Sequence, residues 1–365
     1  GLPILSRINR GIAMNNIGHA WYKKGDYHHA LQWFDSAIDL QGQEPELTYN
    51  MAASVSNKGV LFMMDGKWQP ALFAFENAAK IMAGFKMNEE LANVLSNMGA
   101  IKAQLGEYEA ALNLYQRTSE ALRAADVPDD HLSVAENEMK IAFVYIHQAK
   151  WKDALETLHK VKEIRERILP ASHVDMGRTW FTIGLVLRSQ QHYNEALQYM
   201  KRALTIYERS YSGGHPQIAN TYNSMANLKA VQGQYVEALH FYEQAKEQFR
   251  QFYGNDKHFD IARVLNNMGE AHRFLGHLSE AFDYLNKALH MRQITLGVSH
   301  PDTATTWINL SLAYQAKGDL KIALECAQCG LNIRRDKLQP EHEDLIETEH
   351  LVTKLEQMVL ALGQQ

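Results

Sequence analysis

The chain has 365 residues, 46% of them hydrophobic and 22% charged, with 8 prolines and a formal net charge of -5 at pH 7. That composition belongs to a folded chain without low-complexity tracts, and the negative balance argues against a general nucleic-acid binder. No window approaches the roughly 18 apolar residues of a membrane span, so no membrane insertion is expected. Two cysteines cannot make a disulfide framework and suit a reducing compartment, the cytoplasm by default.

The charge is divided along the chain. Residues 1–130 carry 11 Lys/Arg against 15 Asp/Glu, residues 131–300 carry 20 against 17, and residues 301–365 carry 6 against 10. An acidic partner would therefore go to the middle.

Residues 1–10 precede any repeat and are expected as an N-terminal extension. From there to residue 337 one pattern returns eight times, anchored on a small residue after an apolar helical run: Gly18, Gly59, Gly99, Ala142, Gly184, Ala226, Gly269 and Ser311, at spacings of 40 to 43. Seven residues after each anchor lies a turn position, held by Gly25, Gly66, Gly106, Gly233, Gly276 and Gly318 and replaced by Ala149 and Gln191 in the fourth and fifth units. Gly there ends a first helix, A, in a left-handed conformation that a Cβ resists.

Two residues further comes a large side chain: Tyr27, Trp68, Tyr108, Trp151, Tyr193, Tyr235, Leu278 and Leu320. It marks the start of a second helix, B. Twelve residues after the anchor every unit has Ala: Ala30, Ala71, Ala111, Ala154, Ala196, Ala238, Ala281 and Ala323. Small residues in register on two consecutive helices let the backbones approach, as an antiparallel helical hairpin requires. One hairpin cannot bury both faces, so neighbours must stack into a continuous core. The expected fold is an all-α solenoid, a right-handed superhelix of eight repeats over residues 11–337. After Pro340, Leu345, Val352, Leu355, Val359 and Leu362 form one apolar stripe, predicting a capping helix within residues 338–365.

The small-residue and aromatic phases resemble the tetratricopeptide repeat family in all eight units. The period near 42 and the linkers Leu169-Pro170-Ala171-Ser172-His173-Val174-Asp175, Gly213-Gly214-His215-Pro216, Asn255-Asp256-Lys257-His258-Phe259-Asp260 and Gly297-Val298-Ser299-His300-Pro301-Asp302 are similar to kinesin-light-chain and nephrocystin-type repeats. The first three units lack that linker. Pro restrains the linker before the next helix A, and Asp302 is expected to cap or favourably charge that helix.

The resemblance implies that A helices line an inner groove. Asn16, Asn57, Asn97, Asn267 and Asn309 lie two residues before their anchors, and Asn15, Asn223 and Asn266 one before that. An Asn amide offers a donor and an acceptor to a peptide backbone, and in this family Asn plays that role. The competing reading is that the amides bond neighbouring helices and hold the solenoid together. Arg178 and Arg263 share one phase, Arg188 and Arg273 another, with Lys140 near them in the fourth unit; beside Asn220, Asn223, Asn227, Asn266 and Asn267 they would make a basic strip for carboxylates. Its structural alternative is a solvated face with Glu136 and Glu270 as partners. Phe62, Met63, Met64, Trp21 and Tyr22 read as core.

Signatures of catalysis are missing: there is no phosphate-binding Gly loop, dinucleotide fingerprint or nucleophile elbow. His342-Glu343-Asp344-Leu345-Ile346 has Ile where a zinc helix needs its second His, and Cys326-Ala327-Gln328-Cys329 stands alone inside a helix B. Asn309-Leu310-Ser311 matches a glycosylation acceptor but sits in a helix. His173, His215, His258, His300 and His342 recur at linkers, a structural use. No cofactor and no metal is expected.

The sequence thus reads as a non-enzymatic cytoplasmic adaptor holding an extended acidic peptide of a protein partner. The subgroup resemblance implies cargo recognition for a microtubule motor, though this chain has none of the coiled-coil heptads that would join a motor subunit. Two alternatives stand beside the adaptor: a self-assembling scaffold whose groove takes its own terminus or a second copy, and a regulatory peptide sensor.

Overall fold

The computed structural model describes residues 4–42 and 48–363. Among the described residues there are seventeen helices and no strand. Contacts divide the chain into two compact units, Gly1–Ala171 and Ser172–Gln365. The first unit contains α1 (Ile4–Lys23), α2 (Tyr27–Gly42), α3 (Thr48–Met64), α4 (Trp68–Gly84), α5 (Asn88–Gln104), α6 (Tyr108–Ala124), α7 (Leu132–His147) and α8 (Trp151–Ile168). The second contains α9 (Val174–Ser189), α10 (Tyr193–Ser210), α11 (Pro216–Val231), α12 (Tyr235–Tyr253), α13 (Phe259–Phe274), α14 (Leu278–Thr295), α15 (Pro301–Lys317), α16 (Leu320–Lys337) and α17 (Glu343–Gly363). Odd-numbered helices from α1 to α15 are the A helices, even-numbered ones the B helices.

The stretch expected as an extension is helical from Ile4, because nothing between Pro3 and Gly11 breaks the run; residues 1–3 lie outside the described residues. Each of the eight large side chains found by spacing is the first residue of its B helix. The turn residues have positive φ in every unit, from 69° at Gly66 to 93° at Gly318, and Ala149 and Gln191 adopt the same conformation at 55° and 64°. A non-glycine residue is uncommon there, so tertiary packing enforces the turn even where its preferred residue is missing.

The eight in-phase alanines are all fully buried. The glycine anchors face the B helix across the hairpin: a Cβ placed on Gly99 would stand 2.6 Å from Tyr115 Cε1, and one on Gly269 would stand 2.6 Å from Leu285 Cγ and 3.2 Å from the Ala281 carbonyl. Gly at these anchors is therefore a packing requirement, with the large B-helix side chain occupying the space of the missing Cβ. In the first unit Phe75, Met82, Leu95 and Ile101 centre one cluster, with Phe62 and Met63 packed against it and Met64 exposed; Trp21 and Tyr22 pack against Phe34 and Leu61. In the second, Tyr242, Phe249, Ile261 and Leu265 centre another. α17 seals the end of the second unit with Leu345, Val352 and Leu355, while Leu362 at the far end of the stripe is exposed.

The linkers carry a device that replaces the expected Asp302 cap. At the start of α7, α9, α11, α13, α15 and α17 the Nδ1 atoms of His131, His173, His215, His258, His300 and His342 accept a hydrogen bond from the backbone N–H two residues on, at 3.1 to 3.2 Å. In α15 the acceptor is His300, and Asp302 supplies the donating N–H, with its acidic side chain in the first turn. An imidazole nitrogen at the N-cap satisfies a donor that has no partner inside the helix. The rings add stacking: His215 lies 3.6 Å from Tyr211 and His258 lies 3.5 Å from Tyr253, between ring centroids.

A second device closes the outer end of the repeats. Arg292 and Arg334 are buried at the last turns of α14 and α16. Arg292 donates to the Asp302 carbonyl and, at 2.7 Å, to Thr306 Oγ1; Arg334 donates to the Asp344 carbonyl at 2.8 Å. Each ties a B helix to the beginning of the helix that follows.

Candidate functional site

Within each unit successive A helices touch: α1 with α3, α3 with α5, α5 with α7, and α9 with α11, α11 with α13, α13 with α15. Among the described residues, successive B helices make no comparable contact. The A helices therefore line the narrower, inner side of each unit, and the in-phase Asn and Arg residues belong to them.

Most of these amides are spent between neighbouring A helices. In the first unit Asn57 Nδ2 donates to Asn15 Oδ1 at 3.0 Å, joining α3 to α1. In the second, Asn309 Nδ2 donates to Asn266 Oδ1 at 3.2 Å, and Asn267 Nδ2 donates to Asn227 Oδ1 at 3.3 Å and Asn223 Oδ1 at 3.4 Å. Asn223, Asn266 and Asn309 are buried, where an amide facing nothing would be costly. Asn16 is exposed and Asn97 half-buried, and neither has a hydrogen-bond partner among the described residues. The ladder thus contains rungs that join helices, the role set against peptide contact in the sequence, and amides left without a partner among the described residues.

The basic residues divide similarly. Lys140 belongs to the first unit and donates to Ser96 Oγ at 2.6 Å. Arg178 pairs with Asp175 at 3.2 Å, three residues earlier in α9. Arg263 repeats that arrangement with Asp260 at 3.0 Å and reaches across to Asn220 Oδ1 at 2.7 Å, joining α13 to α11. Arg273 lies 3.9 Å from Glu270 and its guanidinium stacks 4.1 Å from the Phe274 ring. An incoming carboxylate at Arg178 or Arg263 would share the guanidinium with an Asp already present.

Arg188 differs. It sits late in α9, half-buried, with no carboxylate within ion-pair distance among the described residues, and burial alone pulls its pKa below the ordinary guanidinium value. It has the register of Ala230 in α11 and Arg273 in α13, four residues after their anchors.

A cavity of about 410 Å³ opens in that register, between α11 and α13 over α12. Asn227, Asn267 and Glu270 provide its polar wall, and Val231, Tyr235 and Phe274 its apolar one. Tyr235 and Phe274 stack with planes 4° apart and centroids 4.8 Å apart, and Tyr242 Oη donates to Asn227 Oδ1 at 2.6 Å. Burial raises the Glu270 carboxyl above its ordinary pKa, against the opposing pull of Arg273. Sequence reasoning had Glu270 only as a partner for neighbouring arginines and missed Tyr235 and Phe274 as pocket walls. Phase could have found the pocket, since Asn227 and Glu270 both follow their anchors directly.

The two cysteines of α16 are not a thiolate site. Cys326 is buried, which pushes its pKa up to about 11, and Cys329 is exposed. Among the described residues no helix is long and apolar enough to cross a membrane.

Stacked helical hairpins around a shared inner face define an α-solenoid, a class whose working surface is its line of A helices. A tetratricopeptide repeat model matches residues 132–209, 217–294 and 260–336, more than half of the chain, and a second tetratricopeptide repeat model matches 12–43. The chain belongs to the tetratricopeptide repeat family, and in period and linker it resembles kinesin-light-chain-type repeats. Solved structures repeat the fold. The apo form of RapI is 18% identical over 78% of this chain and 97% of that one, with a TM-score of 0.57. A tetratricopeptide repeat protein from Parabacteroides merdae is 18% identical over 77% and 93% of the two chains, TM-score 0.53. A putative kinesin light chain of nearly identical repeats from Podosopora anserina is 20% identical over 57% and 99%, TM-score 0.49. None of the curated proteins matches the sequence. The fold is that of a protein-protein interaction scaffold.

Proposed function

We propose that the second unit holds an extended, acidic segment of a partner protein along the inner side of α9, α11, α13 and α15, making the chain a non-enzymatic adaptor. The observation that carries this reading is Arg188, a half-buried guanidinium on the A-helix side without a carboxylate partner among the described residues. A charge taken partly out of water without compensation is a cost in the free protein, and an Asp, Glu or terminal carboxylate of a ligand relieves it through a charge-assisted hydrogen bond. Asn227 and Asn220, whose Oδ1 atoms are engaged by Asn267 and Arg263, lie on the same helices and leave their Nδ2 groups to suit a peptide backbone. Arg178, Arg263 and Arg273 add positive potential that their own carboxylate neighbours reduce. A reducing compartment such as the cytoplasm suits the two free thiols.

The test is a peptide-display selection run in parallel on the native chain and on Arg188→Ala. Acidic peptides should enrich on the first and disappear on the second, and their binding should weaken as added salt shortens the Debye length below about 8 Å. The same peptides on both proteins, or none on either, would overturn the adaptor reading; molecular mass that rises with concentration and falls in salt would then favour self-assembly.

A further inference from the structure

The cavity between α11 and α13 has the wrong charge for an acidic side chain. Its one carboxylate is Glu270, its amide Asn267 directs Nδ2 toward Asn223 and Asn227, and Asn267 Oδ1 receives only a long 3.5 Å contact from Asn266. Glu270 and Asn267 Oδ1 are therefore acceptors with capacity left. Arg273, the nearest cation, stays 3.9 Å from the Glu270 carboxylate, beyond a hydrogen bond, and lays its guanidinium on Phe274 instead. The Tyr235–Phe274 stack lines the same cavity, and because Arg273 already lies on Phe274, the ring left for a ligand is Tyr235.

We propose that this cavity is a seat for a cationic side chain: a Lys or Arg of the bound segment lays its methylenes along Tyr235 and brings its charged head to Glu270 and Asn267. Long basic side chains have this division, an apolar stem and a charged tip, and aromatic faces attract the cation itself. The partial burial of Glu270, which raises its carboxyl pKa, agrees with a carboxylate that gains a partner on binding. The seat rests on the reading of the A-helix side as the binding side and refines it, because the segment then carries both signs of charge. Arg188 and Glu270 lie two A-helix steps apart, roughly 20 Å at ordinary interaxial spacing. An extended peptide covers that in about six residues. The recognised segment thus has an acidic residue and a basic one about six positions apart.

The experiment uses the whole chain, 15N-labelled, with N-acetyl-lysine methylamide as probe and N-acetyl-norleucine methylamide as its uncharged counterpart. The lysine probe should shift amide resonances of α13 around Glu270 and bind at least fivefold tighter than the norleucine probe. Glu270→Gln, nearly the same shape and relieved of a desolvated charge, should fold and lose that preference. Equal binding of the two probes to the native chain, no binding of either, or an undiminished lysine preference in Glu270→Gln would overturn the seat. None of these outcomes depends on Arg188, so the seat and the acidic-peptide reading can fail separately.

Discussion

Asn309→Ala distinguishes an amide that builds the solenoid from one that serves a ligand. Asn309 is 8% exposed and Asn266, which accepts its hydrogen bond at 3.2 Å, is 3% exposed. Truncation removes the one close donor to Asn266 Oδ1 among the described residues and leaves that oxygen buried, a loss of about 1–3 kcal/mol. Asn97→Ala, whose amide has no partner among the described residues, should stay within about 0.5 kcal/mol of the native chain. Replacing both members, Asn266→Leu with Asn309→Leu, removes donor and acceptor together and should cost less than the two single changes summed. Repeat chains can unfold in parts, so the assay is hydrogen exchange read on α13 and α15, alongside thermal unfolding. In a melt, about 1 kcal/mol lowers the midpoint by roughly 2–4 °C for a unit of this size. If Asn309→Ala proves as harmless as Asn97→Ala, the buried rungs do not hold the helices together, and all the in-phase amides return as ligand contacts.

Gly99→Ala should destabilise the first unit by about 1–2 kcal/mol, because the new Cβ stands 2.6 Å from the buried Tyr115 ring and overpacking outweighs the better helix propensity of Ala; Tyr115→Leu added to it should recover part of the loss in urea unfolding. Arg334→Met should loosen α17 selectively, since it removes the bond to the Asp344 carbonyl while keeping an apolar stem of similar length, and faster hydrogen exchange confined to α16 and α17 is the expected reading. Among the capping histidines, His215 makes stability fall in acid. His215 must keep Nδ1 unprotonated to accept from Gln217, and burial lowers its pKa below the ordinary histidine value. Its contribution is therefore present above the unfolded pKa of about 6.5 and is lost as pH falls through the lower folded value. His215→Asn, a cap without that titration, should reduce the drop in unfolding temperature between pH 7 and pH 5, and an unchanged drop would remove His215 as a source of it.

Much of the fold is legible in the residues because its determinants are local and repeated. Gly at a left-handed turn, a large residue at the first position of helix B and a buried Ala three residues later each answer a constraint set within one hairpin, and a period near 42 shows them eight times. Phase alone also placed the polar residues on the A helices. Phase is silent on what a side chain does once a neighbour arrives. Asn309 and Asn97 share one phase, yet one is sealed against α13 and the other has no hydrogen-bond partner among the described residues. Arg178, Arg188, Arg263 and Arg273 look like one strip, but an Asp three residues earlier engages Arg178 and Arg263, and Phe274 holds Arg273. The histidine caps and the Arg292 and Arg334 clamps recur in phase too, and their role became visible only with the backbone geometry that puts an N–H or a carbonyl within reach. Repetition along the chain determines the hairpins and their order, since each hairpin's packing is satisfied by residues close in sequence. Which polar groups remain for a ligand depends on contacts about 40 residues apart, and only the stacking of the repeats decides those.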